Sequence, residues 1–303
     1  MVGFSLAVAV WCSGSLLRAQ GNSQAARVRA LNNEVLRLHG LLQAAPPGQV
    51  AQLRNQAAPV IAERADALSA LIETDASAAL SLAFSQDLLN EMTSAFPQSA
   101  PRFESHGIWQ APIEYYISDD PTMTVRRSVR RMTVAQETLE IYFGGTEPPG
   151  LKSGDILRVE GMRAGRRVAA ANGSVQGSVA EASSCSTTGV QNTVVLLVTF
   201  PGVAAPSTTP ASISDIFFAP SGRSVDGYWK EVSYGKASAA GTVTPSWREL
   251  DKVYTCDQYT QMRTAAIAAW DPEINFTQYT RIFIVFPNPG GCGWAGLGML
   301  GCG

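Results

Sequence analysis

The chain has 303 residues, 46 % of them hydrophobic and 16 % charged, with Lys+Arg 23 against Asp+Glu 25 and a formal net charge of −2. This composition can bury real cores and excludes a wholly disordered chain, while the missing basic surplus argues against a nucleic-acid partner, whose phosphates would have to be neutralised. No apolar run reaches the ~18–20 residues of a membrane-spanning helix, so no integral membrane association is expected. Only two histidines, His39 and His106, are available to any His-based metal site or relay.

Residues 2–17, VGFSLAVAVWCSGSLL, have the length of a signal-peptide core and are followed by the small-residue stretch Arg18-Ala19-Gln20-Gly21. Residues 1–20 are therefore expected to be a secretory signal, cleaved near Ala19 or Gln20, although Met1-Val2-Gly3-Phe4 carries no Lys or Arg. Export places the protein outside the cell or in a periplasm. Trp11 before Cys12 stands where a lipobox needs a small residue, which argues against lipidation.

From 21 to 107 the pattern is helical. Val28, Leu31, Val35, Leu38 and Leu42 recur at three- and four-residue steps, and Ala44-Ala45-Pro46-Pro47-Gly48 stops the run. A second helix carries Val50, Leu53, Val60, Ile61, Leu68, Leu71 and Ile72, kinked or restarted at Pro59. Asp75 should cap a third, with Leu80, Phe84, Leu88 and Met92 on one side and Pro97 ending it.

Residues 108–172 change to short alternating strands, 113–117, 138–143, 156–160 and 167–169, separated by Gly, Pro and Asn turns. A small β-barrel or sandwich is expected there, with Arg126, Arg127, Arg130 and Arg131 on a solvated strand or turn face. Residues 173–189, rich in Ser, Gly and Thr, read as a linker.

The third body, 190–303, begins with the continuous apolar run 193–200, as expected of a strand buried on both faces. Helix in two pieces around Pro220-Ser-Gly222, a strand at 243–247, a helix at 260–270 and a second buried strand at 281–286 follow. That order indicates an α/β layer with little to close its sheet, so the chain is expected to be cut within this domain. The whole is α+β and multidomain: a helical bundle, a small barrel or sandwich, then part of an α/β domain.

Cys185, Cys256, Cys292 and Cys302 form an even set in a chain expected to be secreted, which favours two disulfides with all three pairings open. No CxxC occurs, so a structural zinc site is not expected. Asn172-Gly-Ser and Asn275-Phe-Thr are glycosylation sequons. Gly291-Cys-Gly-Trp-Ala-Gly296 matches GxGxxG in form, yet no helix or βαβ unit follows it to hold a pyrophosphate. P-loop, Gly-x-Ser-x-Gly and HExxH motifs are absent, and no complete active site is present.

Three features in order carry a resemblance. They are the strand Val194-Val-Leu-Leu-Val-Thr-Phe200, the segment Tyr228-Trp-Lys-Glu-Val-Ser-Tyr-Gly235 leading to Gly241-Thr-Val243, and Arg281-Ile-Phe-Ile-Val-Phe-Pro287 followed by Gly291-Cys-Gly-Trp-Ala-Gly-Leu-Gly298. Over 190–303 the chain resembles the gametolysin family of secreted zinc metallopeptidases, specifically the first half of a zincin-like α/β catalytic domain. The resemblance implies a propeptide role for the helical and β segments before the linker, residues 21–182 with the helical body at 21–107 propeptide-like, and a protein or peptide substrate. It also implies zinc as the cofactor of the full-length protein, held by an HExxH helix and a further His, with the Glu activating water. None of those residues occurs in this chain, which is expected to bind no zinc and to be inert as it stands. By analogy, Trp294, Ala295, Gly296 and Leu297 would form the edge strand that pairs with substrate, or else a disulfide-stapled loop through Cys292 and Cys302. Cys185 has a place where a latency thiolate would stand, with a disulfide as its alternative. A secreted non-catalytic binding or wall-associated protein is the competing reading.

Overall fold

The computed structural model describes residues 12–122, 126–178, 186–220, 222–288 and 292–300, with side chains from residue 23 onward. The chain is mixed α and β and divides into two compact units. One comprises residues up to 118, 126–181 and 297–303, and the other 119–125 and 182–296.

The first unit opens with α1 (Cys12–Ala44) and α2 (Pro47–Thr74). Val28, Val35, Leu38 and Leu42 bury one stripe of α1, and Ala57, Ile61, Leu68, Leu71 and Ile72 bury the facing stripe of α2. Helix α1 runs through the expected cleavage region at Ala19 and Gln20, while residues 1–11 lie outside the described set. The expected restart at Pro59 does not occur: α2 is continuous, and the proline ring lies on the exposed face, where its lost hydrogen bond faces water.

The expected third helix is two. In α3 (Ala76–Leu82) the Asp75 side chain accepts from the Ala78 N–H at 2.8 Å. The ladder then breaks because the Phe84 N–H donates to the Glu104 carboxylate at 2.8 Å, and Ser85 caps α4 (Gln86–Ala95). A 3-10 turn over Pro97–Arg102 leads to the strands.

Five strands follow: β1 (Ser105–Asp119), β2 (Arg126–Val134), β3 (Glu137–Phe143), β4 (Asp155–Ala164) and β5 (Arg167–Ser178). Their order, β1-β2-β3-β5-β4 with β4 returning to β1, closes a barrel. Only the β3–β5 contact is parallel among the registers of these five strands, with Ile141 opposite Val168. Ile113, Met132, Leu139, Ile141, Leu157 and Val159 fill the interior. Gly161 is required where β4 meets β5, since a Cβ there would lie 2.0 Å from the Ala169 carbonyl oxygen.

Two expected boundaries fail here. Helices and barrel are not separate bodies split at 107/108: that point falls inside β1, and Met162, Ala164 and Ala169 share a core with Leu68, Leu71 and Ile72. The expected linker at 173–189 is strand over 173–178, where small and polar residues pair with β4 from Gly173↔Val159 to Ser178↔Asp155. Its remaining residues up to 185 lie outside the described set.

In the second unit β6 (Gly189–Thr199) is the centre of a parallel sheet, buried without interruption from Thr193 to Thr199. Helices α5 (Pro210–Phe218) and α6 (Val225–Val232) cross to β7 (Ala237–Val243), parallel to β6. The strand expected at 243–247 therefore lies earlier, at 237–243, because Gly241 permits the approach: a Cβ there would stand 1.7 Å from the Thr193 carbonyl oxygen. Thr244 bridges to the two-residue strand β8 (Arg248–Glu249), its hydroxyl accepting from the Leu197 N–H at 2.9 Å. Helix α7 (Tyr259–Trp270) then leads to β9 (Arg281–Val285) on the other side of β6, also parallel.

The last strand, β10 (Gly296–Met299), does not extend this sheet. It pairs with β1 at the end of the barrel order. The Leu300 N–H donates to the Tyr115 carbonyl at 2.7 Å, and the Leu300 carbonyl accepts from the Ser153 N–H at 2.8 Å. The body expected to run from 190 to 303 thus yields residues 297–303 to the helix–barrel unit, because β1 outruns β4 and leaves backbone groups to be satisfied.

Candidate functional site

The sequence singled out Trp294, Ala295, Gly296 and Leu297. Trp294 is half-buried, its ring meeting Phe286 edge-on at 6.1 Å, and Phe286 meets Phe200 in the same manner at 5.9 Å. Phe200 follows β6 and Phe286 follows β9, so this aromatic row lies where the parallel strands end. In open α/β sheets that end, between strands whose crossovers go opposite ways, is the position of ligand crevices. The Ala295 N–H donates to the Asp119 carbonyl at 2.7 Å, and Gly296 and Leu297 begin β10.

Two residues before Trp294, Cys292 is bonded to Cys256, which precedes α7. This overturns the staple expected between Cys292 and Cys302 and removes Cys256 and Cys292 as partners of Cys185. The Cα atoms of the bonded pair are 5.2 Å apart, a separation set by the loops and not by sequence proximity. Cys185 and Cys302 lie outside the described residues, so the latency thiolate does too.

Tyr254 donates to Asp251 at 2.6 Å, and burial together with that carboxylate pushes its phenol up to about 12. Apart from the aromatic row, between α7 and the start of β9, the contiguous segment Asp271–Thr277 lines a surface concavity of about 490 Å³.

Zinc finds no cradle in what the structure describes. Among the described residues no group of three or more His, Cys, Asp or Glu could hold a metal ion. His39 is packed in the helical core against Phe96, with Gln43 at 3.2 Å, and His106 Nε2 lies 2.7 Å from the Phe84 carbonyl oxygen. Both histidines belong to the helix–barrel unit.

The most elaborate polar cluster is one that sequence reading missed. Arg64 forks onto Glu104 at 2.5 and 2.7 Å, donates through Nε to Asn32 at 2.6 Å, and stacks 3.8 Å over the Phe84 ring. Arg64 is fully buried and Glu104 is 5 % exposed. Burial pushes the Glu104 carboxyl up, and the Arg64 hydrogen bonds and charge, with the Phe84 N–H, more than reverse it, leaving the group below its ordinary value. Sealed from solvent and fully paired, the cluster locks α1, α2, the α3–α4 break and the start of β1. A signal for it existed: Arg64 occupies an apolar-stripe position, three after Ile61 and four before Leu68.

The arginine face on β2 divides: Arg126 and Arg127 are exposed, as expected, and Arg130 and Arg131 are not. Arg131 is 9 % exposed and paired with Glu140 at 2.8 Å, and Arg130 pairs with Glu147 while lying 4.8 Å over the Tyr115 ring. These two are covered by the barrel, and Arg127 lies 3.8 Å from Glu73. No helix among the described residues is long and apolar enough to cross a membrane. Compared with protein-family models, curated proteins and solved structures, the chain matches none.

Proposed function

We propose that the chain is the precursor region of a secreted zinc endopeptidase of gametolysin type: a propeptide-like helix–barrel unit followed by the first half of a zincin-like catalytic domain. The observation that carries this reading is the open state of the second unit's sheet. Among the described residues no strand pairs with the outer edge of β9, and Ile282, Phe283, Ile284 and Val285 are only half-buried. Parallel sheets are ordinarily covered on both faces and bordered by protected edges, and the half-buried edge of β9 supports this reading. Peptide hydrolysis by metal-activated water belongs, in this reading, to an HExxH helix outside residues 1–303, and none of these residues supplies a step of it. Trp294, Ala295, Gly296 and Leu297 retain a proposed substrate-binding role, Gly296 and Leu297 through the backbone edge of β10 that β1 does not use.

Sequencing the transcript beyond the Gly303 codon tests the proposal. An open frame reaching HExxH and a third His, with chelator-sensitive peptide cleavage by the longer protein, is the expected result. A stop codon after Gly303, with a secreted product of matching mass, overturns it.

The second reading, a secreted non-catalytic binding or wall-associated protein, is favoured by one observation: β10 serves the barrel as a structural strand. Under it, replacing Gly296 by proline disrupts the barrel unit. Under the peptidase reading, the same change in the longer protein also alters KM for peptide substrates.

A further inference from the structure

We propose that Asn275 is an N-glycosylation site, an inference that rests on the secreted reading. The sequon Asn275-Phe-Thr277 forms a surface turn between α7 and β9, with Asn275 and Thr277 both exposed. Thr277 Oγ1 donates to Asn275 Oδ1 at 2.6 Å, and the Thr277 N–H donates to the same oxygen at 3.2 Å. A backbone N–H can only donate, so the amide oxygen must face Thr277 and the orientation of the amide is determined. Nδ2 is consequently left without a hydrogen bond among the described residues. The nitrogen to be modified is free, and the hydroxyl that the acceptor motif requires already touches the same amide.

The other sequon differs. Asn172 stands within β5, paired with Glu160 of β4, and the Ser174 hydroxyl accepts from Gln176 at 2.7 Å instead of reaching the asparagine. Gly173 between them is pressed against Phe143, where a Cβ would lie 2.6 Å from the ring. The Asn172 motif is part of a barrel wall, whereas the Asn275 motif is a free turn.

The transfer balances with a lipid-pyrophosphate-linked oligosaccharide as donor. A bond forms between the sugar C1 and Asn275 Nδ2, and the bond from C1 to the pyrophosphate oxygen breaks. Lipid pyrophosphate leaves with the electron pair, and one amide proton passes to a base of the transferase.

The test is to express the full chain in a eukaryotic secretory host, behind an independent cleavable signal and, in parallel, with its own N-terminus. The first arm tests the site whatever the native N-terminus does. The expected result is a glycopeptide containing Asn275 that peptide-N-glycosidase converts to Asp. The modification should be lost in Asn275→Gln and Thr277→Ala and retained in Thr277→Ser. An unmodified Asn275 peptide in folded protein secreted through the independent signal, with or without modification of Asn172, overturns the proposal. Failure of the native N-terminus alone to deliver protein to the medium overturns the secretion reading and leaves the first arm to decide the site.

Discussion

The helix–barrel unit and the parallel-sheet unit solve the same problem, burying a strand-rich core, in opposite ways. In the barrel each of β1 to β5 has a neighbour on both sides, and the gap along β1 beyond β4 is taken by β10. In the other unit the central β6 is buried from Thr193 to Thr199, yet β9 at its side is half-covered throughout. Closure removes edges, while an open parallel sheet depends on what borders it. The polar devices differ accordingly. The first unit is locked by the buried Arg64–Glu104 pair, the second by the Cys256–Cys292 bond.

The largest effect should come from breaking the lock of the first unit. Glu104→Gln leaves the Arg64 charge buried without its partner, which costs roughly 3–5 kcal/mol. Hydrogen exchange should show lost protection in α1, α2 and the barrel and little change in β6. Equal loss in both units would show that they unfold as one.

Next comes the disulfide, which closes a loop of 36 residues. Cys256→Ser with Cys292→Ser should cost roughly 2–4 kcal/mol, confined to β6, β7, α7 and β9. A chain resistant to reduction in urea titration, with no shift of midpoint, would contradict this.

Gly161→Ala and Gly241→Ala form a matched pair, since each inserts a Cβ into a carbonyl oxygen of a neighbouring strand, at Ala169 and Thr193. Each should destabilise by about 1–3 kcal/mol, the first within the barrel and the second within the parallel sheet. Thermal unfolding followed by region-specific exchange distinguishes them.

Acid sharpens the comparison further. The Glu104 carboxyl lies below its ordinary value of 4.5 in the folded chain, so it contributes stability that is fully present above that value. That contribution is lost as pH falls through the lowered folded value. Protection of the helix–barrel unit should therefore decline below about pH 4.5, and Glu104→Gln should flatten this acid limb.

The smallest effect lies in the β2–β3 turn, where Ala135 and Gln136 both have positive φ, at 50° and 68°. Replacing them with Asn and Gly, which favour that backbone in a two-residue hairpin, should stabilise by about 1 kcal/mol or less. A lowered denaturation midpoint would indicate a different turn.

What was legible in the residues was local. The three- and four-residue steps of Val28, Val35, Leu38 and Leu42 located α1, and alternation located β3 and β4. The unbroken run Val194 to Val198 marked a strand covered on both faces, and Asp75 marked a helix start. These are properties of a few consecutive residues, because helix and strand repeat every 3.6 and 2 residues.

What only the tertiary structure decided involves partners distant in sequence. Glu104 ends α3 by taking the Phe84 N–H twenty residues earlier, and it meets Arg64 across forty. Cys256 bonds Cys292 where three pairings stood open. An edge strand in the glycine-rich segment after β9 was expected only by analogy with zinc peptidases, and nothing in its residues announced that β10 lies against β1, about 180 residues away, where unpaired backbone remained. Periodicity states which face of an element is apolar. Which surface meets that face, and which backbone group is left for another strand, depends on long-range packing that no short window of residues contains.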